Sequence, residues 1–237
     1  MTSVGEPHRS RRGGGHGPAV VALGGGHGLS ATLSALRHLT DTITAIVTVA
    51  DDGGSSGRLR DELDVLPPGD LRMAMAALCD DSGPGRTWRE VLQHRFSSLG
   101  PLDQHALGNL LIAAVWEIVD DPVAGLDLLG GLLGARGRVL PMCPVPLQIE
   151  ADVRRPDGSL ALVVGQSSVA RTSDPIERVR LLPAVPPACD EAVDAVRGAD
   201  VVVLGPGSWY TSVLPHLLVP DLAEALQTTG ARSIVVL

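Results

Sequence analysis

Apolar residues along this chain come in short unbroken runs that end on glycine. Ala19–Leu23 (AVVAL) reads straight into Gly24-Gly25-Gly26-His27-Gly28, after which Leu29, Leu33, Leu36 and Leu39 recur at helical spacing. An uninterrupted run of this length marks a strand buried on both faces, and the order strand, glycine loop, helix opens a parallel α/β layer. Thr44–Val49 (TAIVTV) predicts a second strand, running into a second polar loop, Ala50–Gly57 (ADDGGSSG). A βαβ unit of this size implies parallel pairing with a right-handed crossover. Far downstream, Val201–Leu204 (VVVL) predicts a third core strand that enters Gly205-Pro206-Gly207-Ser208, and Ser233–Leu237 (SIVVL) predicts a fourth.

Between these strands the pattern is mostly helical. Asp61–Leu66 is amphipathic and stops at Pro67-Pro68, and Asp70 reads as the N-cap of a helix reaching about Leu78. Leu107–Val119 and Pro122–Leu133 predict apolar helices, the second closed by glycines, and Glu191–Arg197 and Leu222–Leu226 predict two more. From Leu140 to Leu182 the character changes. Leu147–Val153 and Leu160–Val164 flank Pro156-Asp157-Gly158, the signature of a β-hairpin in an inserted or edge β element. The expected fold is therefore α/β, a doubly wound Rossmann-like parallel sheet with a small inserted β element over residues 19–237, preceded by a disordered tail at residues 1–18. The chain stops at Leu237 inside a core strand, before the loop such a strand would feed, so it is expected to be a fragment or a truncated product.

Composition narrows the function classes. With 237 residues, 44% of them hydrophobic, the chain can bury a real core. It carries 19 cations, all of them Arg, against 27 acids, for a net charge of −8. That balance excludes a general nucleic-acid binder, which needs a basic face to displace counterions. The absence of Lys reflects coding bias, and it excludes a Walker-type or Schiff-base lysine within these residues. Cys79, Cys143 and Cys189 are far apart, with no CxxC or Cys/His cluster, so neither a disulfide framework nor a zinc knuckle is indicated and a reducing cytoplasm fits best. The Gly-, His- and Arg-rich N-terminus has no apolar segment and is not a secretory signal. No stretch approaches the roughly 18 uncharged apolar residues of a membrane span.

Three glycine-rich loops after three parallel strands should lie on one sheet edge. Glycine lets backbone approach a ligand closely, and a following helix N-terminus suits phosphate. Gly24, Gly25, Gly26, His27 and Gly28 form the first candidate cradle; the spacing is GxGxG, which fails the dinucleotide fingerprint and speaks against a nicotinamide dehydrogenase. Asp51 and Asp52 at the end of the second strand suit ribose recognition, a hard divalent cation such as Mg²⁺ bridging to a diphosphate, or simply an Asp-rich turn. Asp70 either completes a carboxylate site or is a plain cap, while Arg58, Arg60 and Arg72 are phosphate partners or surface cations. His105 and Asn109 lie four apart, and the Asn109 amide, amid apolar neighbours, either caps backbone or reads a ligand base or ribose. Gly205, Pro206, Gly207, Ser208, Thr211 and Ser212 form a third anion or ribose cradle or a capping segment; Trp209 and Tyr210 either stack on a base or pack against the sheet. There is no Ser/His/Asp order, GxSxG or HExxH.

Together, Gly24–Leu33 (GGGHGLSATL), Ile46–Arg60 (IVTVADDGGSSGRLR), Pro67–Leu78 (PPGDLRMAMAAL), His105–Leu111 (HALGNLL) and Leu204–Ser212 (LGPGSWYTS) resemble the gluconeogenesis-factor family (YvcK-type), within the 2-phospho-L-lactate transferase (CofD-like) superfamily. The resemblance covers about Val20 to Leu237; where this chain has His27 the family usually has Thr. It implies a Rossmann-like fold and a nucleotide ligand. In the gluconeogenesis-factor branch that ligand is a UDP-sugar such as UDP-N-acetylglucosamine, and the role is regulatory, in carbon metabolism, cell shape and cell-wall synthesis, with room for protein partners and a homo-oligomer. The transferase branch implies transfer of a phospholactyl-type group to a deazaflavin precursor with Mg²⁺, for which Asp52 and Asp70 would be the metal ligands. The GGSSGRLR continuation, which that branch typically lacks, places the regulatory reading first.

Overall fold

The structure, a computed structural model, describes residues 17–236, so nearly all of the expected tail, residues 1–16, lies outside the described residues. Five parallel strands form the central sheet: β1 (Val20–Gly24), β2 (Ile43–Val47), β3 (Arg138–Pro141), β7 (Val201–Leu204) and β8 (Arg232–Val235), in the order β3-β2-β1-β7-β8. Every residue of β1 is buried. Such a strand must be apolar throughout because helices cover both of its faces, which is why its sequence runs rather than alternates.

Helices α1 (Gly26–Leu36), α2 (Gly54–Leu63), α3 (Pro68–Leu78), α4 (Gly83–Gln93), α5 (Leu107–Val119) and α6 (Pro122–Leu133) follow within the first half of the chain. Helix α3 is the innermost: it packs against α1, α4 and α5, and all but two of its eleven residues are buried. Its run of Ala and Met between Leu71 and Leu78 gives the small, adaptable side chains that such close packing requires.

A second sheet is inserted between β3 and β7. Strands β4 (Gln148–Arg154), β5 (Leu160–Val164) and β6 (Ile176–Leu182) pair antiparallel in the order β5-β4-β6, with α7 (Gln166–Arg171) between the last two. Alternation along β4 sends Ile149, Ala151 and Val153 into the core. On the other face, Arg180 of β6 bridges Glu150 and Asp152 at 2.7 Å each. The chain then adds α8 (Asp190–Arg197), a π-helical turn (Trp209–Val213), α9 (Leu214–Leu217) and α10 (Pro220–Thr228), with α8 and α10 packed on each other. Among the described residues no helix is long and apolar enough to cross a membrane.

The α/β class and the inserted β element are as expected; several elements differ in detail. Strand β3 is a fifth core strand with no counterpart in the sequence reading, because RVLP is short, begins on Arg and ends on Pro, a composition confined to sheet edges. Helix α4 is also additional. It begins Gly-Pro-Gly, which reads as loop, and is started instead by Ser82, whose hydroxyl accepts from Gly85 N–H at 3.1 Å. The second loop ends early, since α2 already starts at Gly54. Helix α1 stops at Leu36, which leaves Leu39 exposed instead of on the buried stripe.

His216 of α9 is fully buried, and its Nε2 donates to the Ile46 carbonyl of β2 at 3.1 Å. Burial pushes its pKa from 6.5 down to about 4. The unfolded chain therefore takes up a proton near 6.5 while the folded chain does so only near 4, so this stability is present above 6.5 and is lost as pH falls through that window. His216→Gln, which keeps a donor but cannot protonate, should flatten the loss of thermal stability between pH 6.5 and 4; an unchanged slope in melting experiments would contradict this account.

Candidate functional site

The strand registers bring the loops together. Gly24 of β1 pairs with Val47 of β2, and Leu23 pairs with Leu204 of β7, so all three strands end at one level. Strands β1 and β7 are neighbours whose onward connections run to opposite sides, to β2 and to β8, so the crevice above them is the topological switch point of the sheet, where open α/β folds bind ligands.

The first and third loops touch through backbone. A Cβ added at Gly28 would overlap the Pro206 carbonyl oxygen and lie 2.7 Å from its carbon and 3.2 Å from Gly207 Cα. Thr32 of α1 donates to the Gly205 carbonyl at 3.3 Å, and Gly205 N–H donates to Leu23 O at 3.1 Å. Gly26 opens α1 at φ +57 and Gly205 turns out of β7 at φ +82, left-handed conformations that favour glycine. His27 is exposed on the first turn of α1.

The second loop joins them through Asp70. A Cβ at Gly25 would overlap the Asp70 carboxylate and the Thr48 methyl, and Asp70 accepts from Gly26 N–H. Asp70 is the third residue of α3; the cap position is Pro67, so the structure corrects the expected N-cap role and turns this carboxylate to the first glycine loop instead. Burial, and then the neighbouring Asp51 charge, push its pKa up to about 7, against the pull of Gly26 N–H and Arg72. Asp51 accepts from Gly53 N–H at 3.0 Å. Asp52 faces away from this pair. It accepts from Ser167 N–H at 2.9 Å and lies against Gly165, so it fastens the start of α7 to the second loop. The structure thus pairs Asp70 with Asp51 rather than with Asp52.

Beneath the acids lies a buried polar network. Arg72 Nε donates to Asn109 Oδ1 at 2.9 Å, its Nη1 donates to Gln93 Oε1, and Asn109 Nδ2 donates to Ser55 Oγ at 3.0 Å. Ser55 also accepts from Ala106 N–H at 3.3 Å, which directs its own proton to His105 Nδ1 at 3.0 Å. Burial keeps the His105 pKa below its ordinary value and pushes Arg72 down to about 10, still cationic at neutral pH and a counter-charge to Asp70 and Asp51. Both ends of the Asn109 amide are thus engaged with protein atoms. Arg58 ties down the Pro101 and Asp103 carbonyls, and Arg60 the Leu147 carbonyl.

Past β7, Ser208 precedes the π-helical turn; Thr211 is buried in it and Ser212 N–H donates to Ser208 O at 2.9 Å, while Trp209 and Tyr210 stay exposed. The sequence reading missed Thr48 and Ser55. Thr48 is buried beside Gly25, and its Oγ1 has no hydrogen-bond partner among the described residues. Its signal was its place at the end of the second strand, three residues before Asp51. Concavities of about 320 Å³, beside α6 and β3, and about 520 Å³, at Arg58, Glu62 and His105, are not lined by the first or third glycine loop. We place the site at the loops regardless, because volume alone carries none of the convergent polar groups that the switch point assembles.

For Mg²⁺, the residues present fit in part. Asp51 and Asp70 are hard oxygen donors close enough to feel each other's charge, and an ion there would draw its other ligands from phosphate and water. Among the described residues no group of three or more His, Cys, Asp or Glu is arranged to hold a metal by itself.

Comparison with known proteins places the chain among relatives. The family model described as 2-phospho-L-lactate transferase CofD matches residues 20–237. A Mycobacterium tuberculosis protein named "Putative gluconeogenesis factor" is 62% identical over 221 residues, covering 92% of this chain and 65% of its own. The gluconeogenesis factor of Halalkalibacterium halodurans is 44% identical over 217 residues, with 92% and 65% covered. A crystal structure of a UPF0052-family protein from Bacillus halodurans matches with a TM-score of 0.84 at 43% identity, covering 92% of this chain and 68% of that one. This chain therefore spans about 65% of the length of the curated relatives it matches.

Because the Asp70 pKa is raised from 3.8 to about 7, the fold holds that proton more tightly than the unfolded chain does. Its contribution is favourable below 3.8 and is lost as pH rises to about 7. Asp70→Asn should leave the melting temperature near pH 4 little changed and raise it by about 5 °C at pH 8. A lower melting temperature at pH 8 would show that the charge stabilises the fold.

Proposed function

This chain belongs to the family described as 2-phospho-L-lactate transferase CofD, and from that premise we propose that its switch-point crevice binds a nucleotide sugar of the UDP-N-acetylglucosamine class, in a cytoplasmic regulatory protein of the gluconeogenesis-factor kind. The observation that carries the reading is the direct backbone contact of Gly28 with Pro206 and Gly207. It sets the N-terminal turn of α1 beside the loop after β7, and a diphosphate is the ligand whose two charged groups span two such backbone turns.

In this reading Gly24 to Gly28 and Gly205 to Ser208 hold the diphosphate, and Asp51 lies within reach of ribose or sugar hydroxyls. Asn109, occupied by Arg72 and Ser55, positions the second loop rather than touching the ligand. Asp52 holds α7 in place. The gluconeogenesis-factor names of the relatives support a role in carbon metabolism; the extension to cell shape and cell-wall synthesis rests on the sequence resemblance alone.

A second reading is a Mg²⁺-dependent transferase, favoured by the facing carboxylates Asp51 and Asp70. Bound there, the ion would neutralise charge on a departing phosphate. Asp51 and Asp70 would hold it, with Arg72 behind them limiting their mutual repulsion.

Isothermal calorimetry with UDP-N-acetylglucosamine should show saturable binding, weakened at least 10-fold in Gly28→Ala, whose added methyl forces the first and third loops apart. Absence of binding at millimolar ligand, or full affinity in Gly28→Ala, would refute the assignment. Binding that needs Mg²⁺ and fails in Asp51→Asn would favour the second reading.

A further inference from the structure

The chain has three Trp, one Tyr and one Phe, and two of these five aromatics stand next to each other at Trp209 and Tyr210. Both are open to solvent, at 44% and 38% exposure, while Trp116 is buried and Trp88 packs against the core. Exposing two large aromatic rings forgoes the burial that makes such residues valuable in a core. The residues around them are not loose: Thr211 and Val213 of the same turn are buried.

Their position is also unusual. The turn from Trp209 to Val213 is π-helical, a winding that is rare and concentrated at functional sites. It starts directly after Ser208, and so continues the loop whose Pro206 and Gly207 lie against Gly28. Helix α7, fastened to the second loop through Asp52, packs against the same turn. The two rings therefore stand at the rim of the crevice to which the diphosphate is assigned.

We propose that Trp209 and Tyr210 form the base-recognition surface of this site, stacking a planar nucleobase whose diphosphate rests on the glycine loops. Neighbouring side chains on a helical turn point in different directions, so one ring lies under the base and the other closes its edge. Stacking suits this role because every base offers a π face, and an exposed ring is covered only when the ligand arrives. The inference rests on the diphosphate reading and adds to it the class of group at the ligand's other end.

The test compares uridine diphosphate with inorganic pyrophosphate by calorimetry on the full chain. The parent should bind uridine diphosphate about 10- to 100-fold more tightly than pyrophosphate, the range expected of one stacked base. In Trp209→Ala/Tyr210→Ala that ratio should fall close to one, with pyrophosphate affinity unchanged and far-UV circular dichroism preserved. Tryptophan fluorescence of the parent should respond to uridine diphosphate and not to pyrophosphate. If the double variant does not fold, Trp209→Ala and Tyr210→Ala are measured singly, and at least one should lower the ratio. An undiminished ratio in the variants overturns the proposal and leaves the diphosphate reading intact, as does a parent that binds both ligands equally. A parent that binds neither overturns both.

Discussion

The first and third glycine loops of this protein are held together by the backbone contact between Gly28 and the Pro206-Gly207 segment. A side chain at position 28 would force apart the start of α1 and the exit of β7, the two elements that flank the switch point. That contact requires level strand ends, which the β1–β2 and β1–β7 registers supply. The central strand β1 is buried on both faces, and so carries the unbroken apolar run of the sequence. The path from hydrophobic pattern to candidate ligand crevice is therefore one continuous physical argument.

Behind the crevice, the protein holds charge in an unusual balance. Burial, and then the charge of nearby Asp51, raise the Asp70 pKa to about 7, and Arg72 is the buried cation that offsets the two acids. Arg72 is itself fixed by Asn109, Gln93 and the Leu92 carbonyl. Removing one member of such a network leaves its partners buried and unsatisfied, so Asn109, Ser55 and His105 shape the second loop without reaching its surface.

Much of this was legible in the sequence, for identifiable reasons. Ala19–Leu23 and Val201–Leu204 signalled core strands because double burial leaves no room for polar residues. The glycine loops stood out because they follow those strands directly. The elements that escaped, β3 and α4, are those in which local signals oppose the tertiary outcome: a Pro-ended edge strand, and a helix that begins Gly-Pro-Gly. Within the candidate site, residue types pointed to Asp51, Asp52, Asp70 and Asn109 as a group, but side-chain direction is set by packing. Asp52 turns to α7, Asn109 turns inward to Arg72, and Asp70 serves the first loop from the third position of its helix. The exposure of Trp209 and Tyr210 was likewise beyond reach of the sequence, because an aromatic after a core strand ordinarily packs against the sheet.

The most direct measurement is a crystal structure of the protein soaked with UDP-N-acetylglucosamine. The account places both phosphorus atoms over the backbone between Gly25 and Gly28 and beside Gly207 and Ser208. Phosphate density elsewhere, for instance in the 520 Å³ recess lined by Arg58 and His105, with the glycine loops bare, would contradict it.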